Sequence, residues 1–321
     1  MGLEVGLFSN RLYANFSYYN KKTVDLINDV TIPASTGFTT YRNNIGEVVN
    51  KGYEINLRGN IINKENMSLI VNANLGHNKN KILKISQSLK DYNTKVQEAM
   101  VGLSKYESDY YSKPFMQYEE GSSLSAIWGI KSMGINPATG EEIFIRPDGA
   151  LSDVWRASYQ QVLGDSAPKA QGTVGVNFTY KNFSFYTSFM YQFGGQTYNS
   201  TLADKVEGVD VYGANVDKRV LTDRWTEPGV NAKYVKISPT RNNHARTRST
   251  SRFVQDYNVV SWSSFSISYD FSGKMIREIG LAMLRVEAGA NDLLHLSTVK
   301  QERGLSYPYA RTFNFSLKAT F

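Results

Sequence analysis

The chain has 321 residues, of which 41% are hydrophobic and 13% aromatic, no cysteine and a formal net charge of +7. Disulfides are therefore excluded, although the lack of cysteine does not separate a cytosolic protein from a bacterial envelope protein. No apolar run approaches the roughly eighteen residues of a membrane-spanning helix. The opening GLEVGLFSNR alternates at once, without the basic start, apolar stretch or cleavage site of a secretion leader. This reads as either a cytosolic protein or one whose upstream part is missing.

Period-2 alternation then recurs along the chain. Leu3, Val5 and Leu7 form a first apolar set, and Leu12, Ala14, Phe16 and Tyr18 a second. Tyr53, Ile55 and Leu57 alternate with Glu54, Asn56 and Arg58, and Met67, Leu69, Val71, Ala73 and Leu75 follow. Helical spacing stands out only over 82–103, and the stretch 104–170 alternates too weakly to map. Val174, Val176, Phe178 and Tyr180 lead through a tight Lys181-Asn182 turn into Phe183, Phe185, Phe189, Tyr191 and Phe193. Next come Phe265, Ile267, Tyr269 and Phe271, then Leu284, Val286, Ala288 and Ala290. The last strand sets Phe313, Phe315, Leu317, Ala319 and Phe321 against Thr312, Asn314, Ser316, Lys318 and Thr320. The fold class is all-β and antiparallel.

Connections distinguish a barrel from a sandwich. Short links (9–11, 60–66, 181–182, 272–280) take turns with long polar ones (24–46, 81–123, 194–252, 292–310), as periplasmic turns and extracellular loops do in transmembrane barrels. A soluble sandwich rarely carries a loop near sixty residues long. The polar faces hold Gly, Asn, Ser and Thr, which suit a wet lumen, and Tyr and Phe gather near strand ends as an interfacial girdle requires. The strands number nine, or eleven if 122–133 and 141–146 add a pair across the INPATG turn.

GLEVGLFSNRLYANFSYYNKKTVDLI, VLGDSAPKAQGTVGVNFTYKNFSFYTSFMYQFGGQTYN, the RWTEPG loop, TSRFVQDYNVVSWSSFSISYDF, LRVEAGANDLL and YPYARTFNFSLKATF, in this order, resemble the C-terminal barrel region of the SusC/RagA-type TonB-linked outer-membrane transporters (TonB-dependent receptors) of Bacteroidota. The resemblance implies an outer-membrane importer of glycans or peptides with a 22-stranded barrel. Residues 1–321 would be about half of it, with long extracellular loops, while the plug and the N-terminal signal would lie outside this chain. It further implies a SusD-like surface lipoprotein as partner, coupling to TonB-ExbB-ExbD through the missing plug, outer-membrane lipid around the wall, and delivery by the barrel-assembly machinery. Phe321, with Phe313 and Phe315, would form the C-terminal assembly signal. Alternatives from other classes are a non-energised structural or adhesive outer-membrane barrel and a soluble β-sandwich carbohydrate-binding module, with Trp225 or Trp262 stacking on a sugar ring.

No catalytic, cofactor or metal constellation is legible, so the chain reads as no enzyme. His77 is placed at a strand end and His244 and His295 in loops, isolated from one another, and there is no nucleophile elbow, P-loop or dinucleotide fingerprint. From Asp217 to Arg252, nine Lys or Arg residues face three acids, which makes +6 of the +7. No nucleic-acid fold surrounds this run. It reads as a solvated loop, or as one that contacts anionic lipopolysaccharide or draws in an acidic ligand, with Trp225, Arg241, Arg246 and Arg248 as candidate ligand contacts.

Overall fold

The computed structural model describes residues 1–31, 40–91, 93–94, 117–211, 213, 215–237, 247–300 and 310–321. In chain order its strands are β1 (Gly2–Leu7), β2 (Leu12–Thr31), β3 (Thr40–Lys64), β4 (Met67–Ile85), β5 (Ala126–Gly129), β6 (Lys131–Ile135), β7 (Glu142–Ile145), β8 (Leu151–Ser152), β9 (Gln161–Asp165), β10 (Ala170–Tyr180), β11 (Phe183–Tyr198), β12 (Val254–Phe271), β13 (Met283–Ser297) and β14 (Thr312–Thr320). Nine of them form one antiparallel sheet in the order β1-β2-β3-β4-β10-β11-β12-β13-β14. Because β4 pairs directly with β10, the wall has the lower of the two strand counts, and the conditional extra pair is not in it. The hairpin across INPATG does form, but as β6 with β7, joined by β8 in a separate small sheet, while β5 pairs with β9.

Every short link lies at one end of this wall. Tyr180 and Phe183 pair across a two-residue turn whose first residue, Lys181, takes a left-handed φ of 51°. The turn is fixed to the neighbouring strand, because Asn182 donates to the Asp270 carbonyl at 2.6 Å. On the lumen side just above, Arg285 meets Asp270 in a two-pronged pair of 2.5 and 2.7 Å.

At the other end the strands outrun the expected boundaries. β2 has 20 residues and β3 has 25, against the roughly 9–11 that a tilted strand needs to cross a bilayer. The expected loop 24–46 is therefore largely strand, and His295 belongs to β13 rather than to a loop, with Nδ1 2.8 Å from the Ser261 hydroxyl. The expected helical stretch 82–103 continues as strand to Ile85 and is helical at 87–91 and 93–94; residues 92 and 95–103 lie outside the described set. Above the membrane both faces of a strand meet water, so backbone pairing persists without the alternation that marks it in sequence.

Beside the nine-stranded wall the described residues form only a two-stranded and a three-stranded sheet, which does not favour the sandwich reading. The apolar face of the wall carries contiguous aromatics: Phe189 stacks on Trp262 at 5.8 Å, and Phe265 meets both Trp262 and Phe185 edge-on. Trp262 also donates to the Thr187 hydroxyl at 2.7 Å. Its indole is thus held on the wall, as an anchor of the girdle kind.

Candidate functional site: lumen face and cap

Cross-strand partners on the lumen face are polar and mutually bonded. Asn74 donates to the Thr173 hydroxyl at 2.6 Å and accepts from the Thr173 amide at 3.0 Å. Asn78 and Asn80 both donate to Asn50. With Glu54, Asn56, Met190 and Gln192, the Asn74–Thr173 pair lines a recess of about 350 Å³. Such a surface offers amide and hydroxyl groups in both donor and acceptor roles, which suits hydrogen-bonding solutes such as sugars or peptide backbones. One strand pair is locked from the opposite face: Tyr191 lies across Gly172 and donates to the Asn74 carbonyl at 2.7 Å. A side chain at 172 would collide with the Asn74 carbonyl and with the Tyr191 hydroxyl that bonds it.

β10 begins at Ala170, whereas its neighbours β4 and β11 continue to Ile85 and Tyr198. The resulting notch is closed by the connection from β4 to β10. Ile82 exchanges backbone hydrogen bonds of 2.8 Å with Gly121 and Ser122, and Leu124 donates to Asn80. Lys169 donates to the Phe193 carbonyl at 2.9 Å and its own carbonyl lies 2.7 Å from His77 Nδ1. Val48, Ile82, Ile85, Leu89 and Tyr118 form a small core beside this closure. A recess of about 580 Å³ opens at the notch between His77, Lys79, Asn80, Asp165, Lys169 and Asp256.

The insert between β11 and β12 builds a cap around a buried ionic core. Arg252, next to the start of β12, holds Glu142 of β7 through two hydrogen bonds of 2.7 Å and Glu207 through two of 2.6 and 2.9 Å. Side-chain exposure is 11% for Arg252, 4% for Glu142 and 0% for Glu207. Burial opposes the guanidinium charge, but the two carboxylates outweigh it and hold the Arg252 pKa well above its ordinary value. Arg224 sits alongside, donating to the carbonyls of Val206, Glu207, Val220 and Val235. Two of these carbonyls close the π-helix Leu202–Glu207, where a cation offsets the negative end of the helix dipole. Burial pushes the Arg224 pKa down. Ala203, Val206, Val209, Val220, Tyr234 and Phe253 pack around the pair.

This arrangement corrects the reading of 217–252 as a solvated basic loop. Arg219 pairs with Asp217, Lys233 with Asp223 and Lys236 with Glu141, and Arg224 is 4% exposed. Trp225 donates to the Pro137 carbonyl at 2.8 Å and its ring lies against Gly140, docking the RWTEPG loop on the INPATG turn. A φ of 71° at Gly140 and the lack of a side chain allow that approach. Arg248 is 5% exposed, with its guanidinium 5.9 Å from the centre of the Trp155 ring. Arg241, Arg246 and His244 lie outside the described residues. The cap was not legible as a unit because Arg252 finds its partners 45 and 110 residues away. Among the described residues no group of three or more His, Asp or Glu side chains is placed to hold a metal.

At the edge of the wall, Phe313 and Phe315 on β14 pair with Ala290 and Ala288 of β13 and stand 64% and 83% exposed, and Phe321 is 92% exposed. The sheet leaves the outer edges of β1 and β14 open.

Residues 1–114 match the family model described as TonB dependent receptor-like, beta-barrel. The chain is 25% identical over 350 residues to TonB-dependent receptor P3 of Formosa agariphila, covering 100% of this chain and 33% of that protein. It is 26% identical over 219 residues to TonB-dependent receptor SusC of Bacteroides thetaiotaomicron, covering 64% of this chain and 20% of that one. Among solved structures, the RagAB peptide transporter superposes on 100% of this chain and 34% of its own with a TM-score of 0.74 at 20% identity. The chain thus spans about a third of the length of the first of these relatives.

Proposed function

We propose that the chain is part of the β-barrel of a SusC/RagA-type TonB-dependent receptor of the outer membrane, and that it forms one side of the wall and part of the extracellular cap of a nutrient importer. The observation that carries this reading is the two-faced sheet: one continuous apolar and aromatic face, one hydrogen-bonded polar face, and all short turns at a single end. Such a sheet is stable in lipid only if its open edges are paired, since each unsatisfied backbone group there costs several kcal/mol. In our reading the rest of the receptor supplies the strands that close on β1 and β14, the plug, and the contact with TonB-ExbB-ExbD.

The solute is a glycan or peptide, handed over by a SusD-like surface lipoprotein above the cap. Arg241 and Arg246 are the proposed ligand-contacting cations, while Trp225 and the buried Arg248 contribute through the segments they anchor. Phe313, Phe315 and Phe321 are read by the barrel-assembly machinery. The chain acts by shaping a passage rather than by covalent chemistry.

Uptake of fluorescently labelled oligosaccharides and peptides by cells carrying the full-length receptor tests this proposal. Accumulation of one class that disappears when TonB is deleted is the expected result. Equal accumulation without TonB would favour a passive barrel instead.

A further inference from the structure

The outer face of β2–β4 changes character within one rung of the ladder. The register between β3 and β4 is unbroken from Val48 opposite Ile82 to Asn60 opposite Ile70, so alternate partners in that span share one face. Ascending from the membrane interior, that face presents Leu57 opposite Ala73, Ile55 opposite Leu75, and then Tyr53 opposite His77, with the two rings 5.2 Å apart. The next rung is Lys51 directly opposite Lys79, and the one above it Val49 opposite Lys81. β2 follows the same order, with Tyr18 beside Tyr53 and Asn20 beside Lys51.

Like charges directly opposite each other on one face repel. The neighbouring Lys22 is answered by Glu47 at 2.7 Å. No carboxylate among the described residues forms an ion pair with Lys51, Lys79 or Lys81, and all three are exposed. Three ammonium groups without an ion-pair partner among the described residues therefore stand on one pleat immediately above an aromatic row, and aromatic rows mark the level of lipid headgroups.

This end of the wall carries the long connections, so it faces outward. We infer that Lys51, Lys79 and Lys81 bind the phosphate groups of outer-leaflet lipid headgroups. Two adjacent bands of one face match the two parts of one amphiphile: the lysines meet the phosphates, while Ile55, Leu57 and Leu75 below the tyrosine row meet the acyl chains. A soluble phosphate would use only the upper band. The lipid would screen the repulsion between Lys51 and Lys79 and fix the height of the wall in the bilayer. The inference rests on the outer-membrane barrel reading.

The test uses the full-length receptor in nanodiscs, with native mass spectrometry counting retained lipid. Diphosphorylated lipid A is compared with its dephosphorylated form, for wild type, for K51Q/K79Q/K81Q, and for a control, K64Q/K181Q, at the short-turn end. The expected result is a preference of about tenfold for the phosphorylated lipid that the triple variant loses and the control keeps. Single variants at each lysine, each expected to lose part of the preference, serve if the triple variant fails to assemble. Equal retention of both lipids by wild type, or an undiminished preference in the lysine variants, would overturn the inference. Displacement of the lipid by millimolar inorganic phosphate would reassign the lysines to a soluble anion and overturn it as well. Heat-modifiable migration of the wild type is checked first, because its absence would count against the barrel itself and not against the lysines.

Discussion

Arg252 and Glu207 are joined by two hydrogen bonds of 2.6 and 2.9 Å across 45 residues of sequence, and Glu207 is completely buried. The same guanidinium holds Glu142 from the INPATG hairpin. A single side chain two residues before the start of a wall strand thus fastens two separate parts of the cap. Removing one partner of such a cluster leaves buried charge without compensation, at a cost of roughly 3–5 kcal/mol. Arg252→Met should therefore loosen the cap while the wall below stays assembled. In the full-length receptor, limited proteolysis of intact cells should cut between 199 and 253 in the variant and spare the wild type, with heat-modifiable migration retained in both. Equal protection would mean that the cap is held by its apolar packing alone.

The cap should also respond to alkali. Burial, reinforced by the charges of Glu207 and Asp204, raises the pKa of Tyr198, and burial raises that of Tyr234. A phenol whose pKa is raised by folding adds stability that is fully present below its unfolded value of about 10 and is lost as pH climbs past that value. Cap protection should therefore be flat from neutral pH to about 10 and fall above it. Tyr198→Phe removes one of these titrations and should shift the fall to higher pH. A fall already complete near neutrality would point to other groups.

How much of this was legible in sequence depended on what each residue faces. Around the short-turn end, β10 and β11 were legible through the Lys181-Asn182 turn, because lipid on one side and water on the other impose strict alternation, although β10 begins at Ala170 and β11 runs on to Tyr198. Above it, the upper half of β2 and the start of β3 were taken for loop, since water wets both faces and the period vanishes while the hydrogen-bond ladder continues. The cap was misread for a different reason. Counting charges from Asp217 to Arg252 gave an excess of cations, but two of those cations are buried, and Arg252 is neutralised partly by Glu142, which lies outside the interval counted. Local composition cannot see a partner 110 residues away.

At the wall's edge, Phe321→Asp in the full-length receptor should lower the amount of assembled barrel without changing synthesis. Phe321 is 92% exposed at the end of β14, so the substitution breaks no packing in this sheet. Its effect would act through recognition of the strand and through a carboxylate at an interfacial aromatic position. Quantifying the heat-modifiable band against total antigen separates assembly from synthesis. An unchanged ratio would assign Phe321 no role in assembly.

Val176 and Asn177 supply the sharpest test of the wall, because one peptide bond separates two environments. Val176 pairs with Val71 and Thr187, and Asn177 with Ile70 and Tyr186, so the first belongs to the apolar face and the second to the lumen face. Val176→Arg would set a guanidinium near the bilayer midplane at a cost of roughly 2–4 kcal/mol, whereas Asn177→Arg would reach the hydrated lumen at far lower cost. Stability alone is ambiguous, since a buried valine in any protein resists arginine. Environment is not. A fluorescent label at 176 should be quenched by lipid-borne quenchers, and one at 177 by aqueous ones. If both labels responded alike, the two faces of β10 would not be lipid and lumen, and the wall assigned here would have to be abandoned.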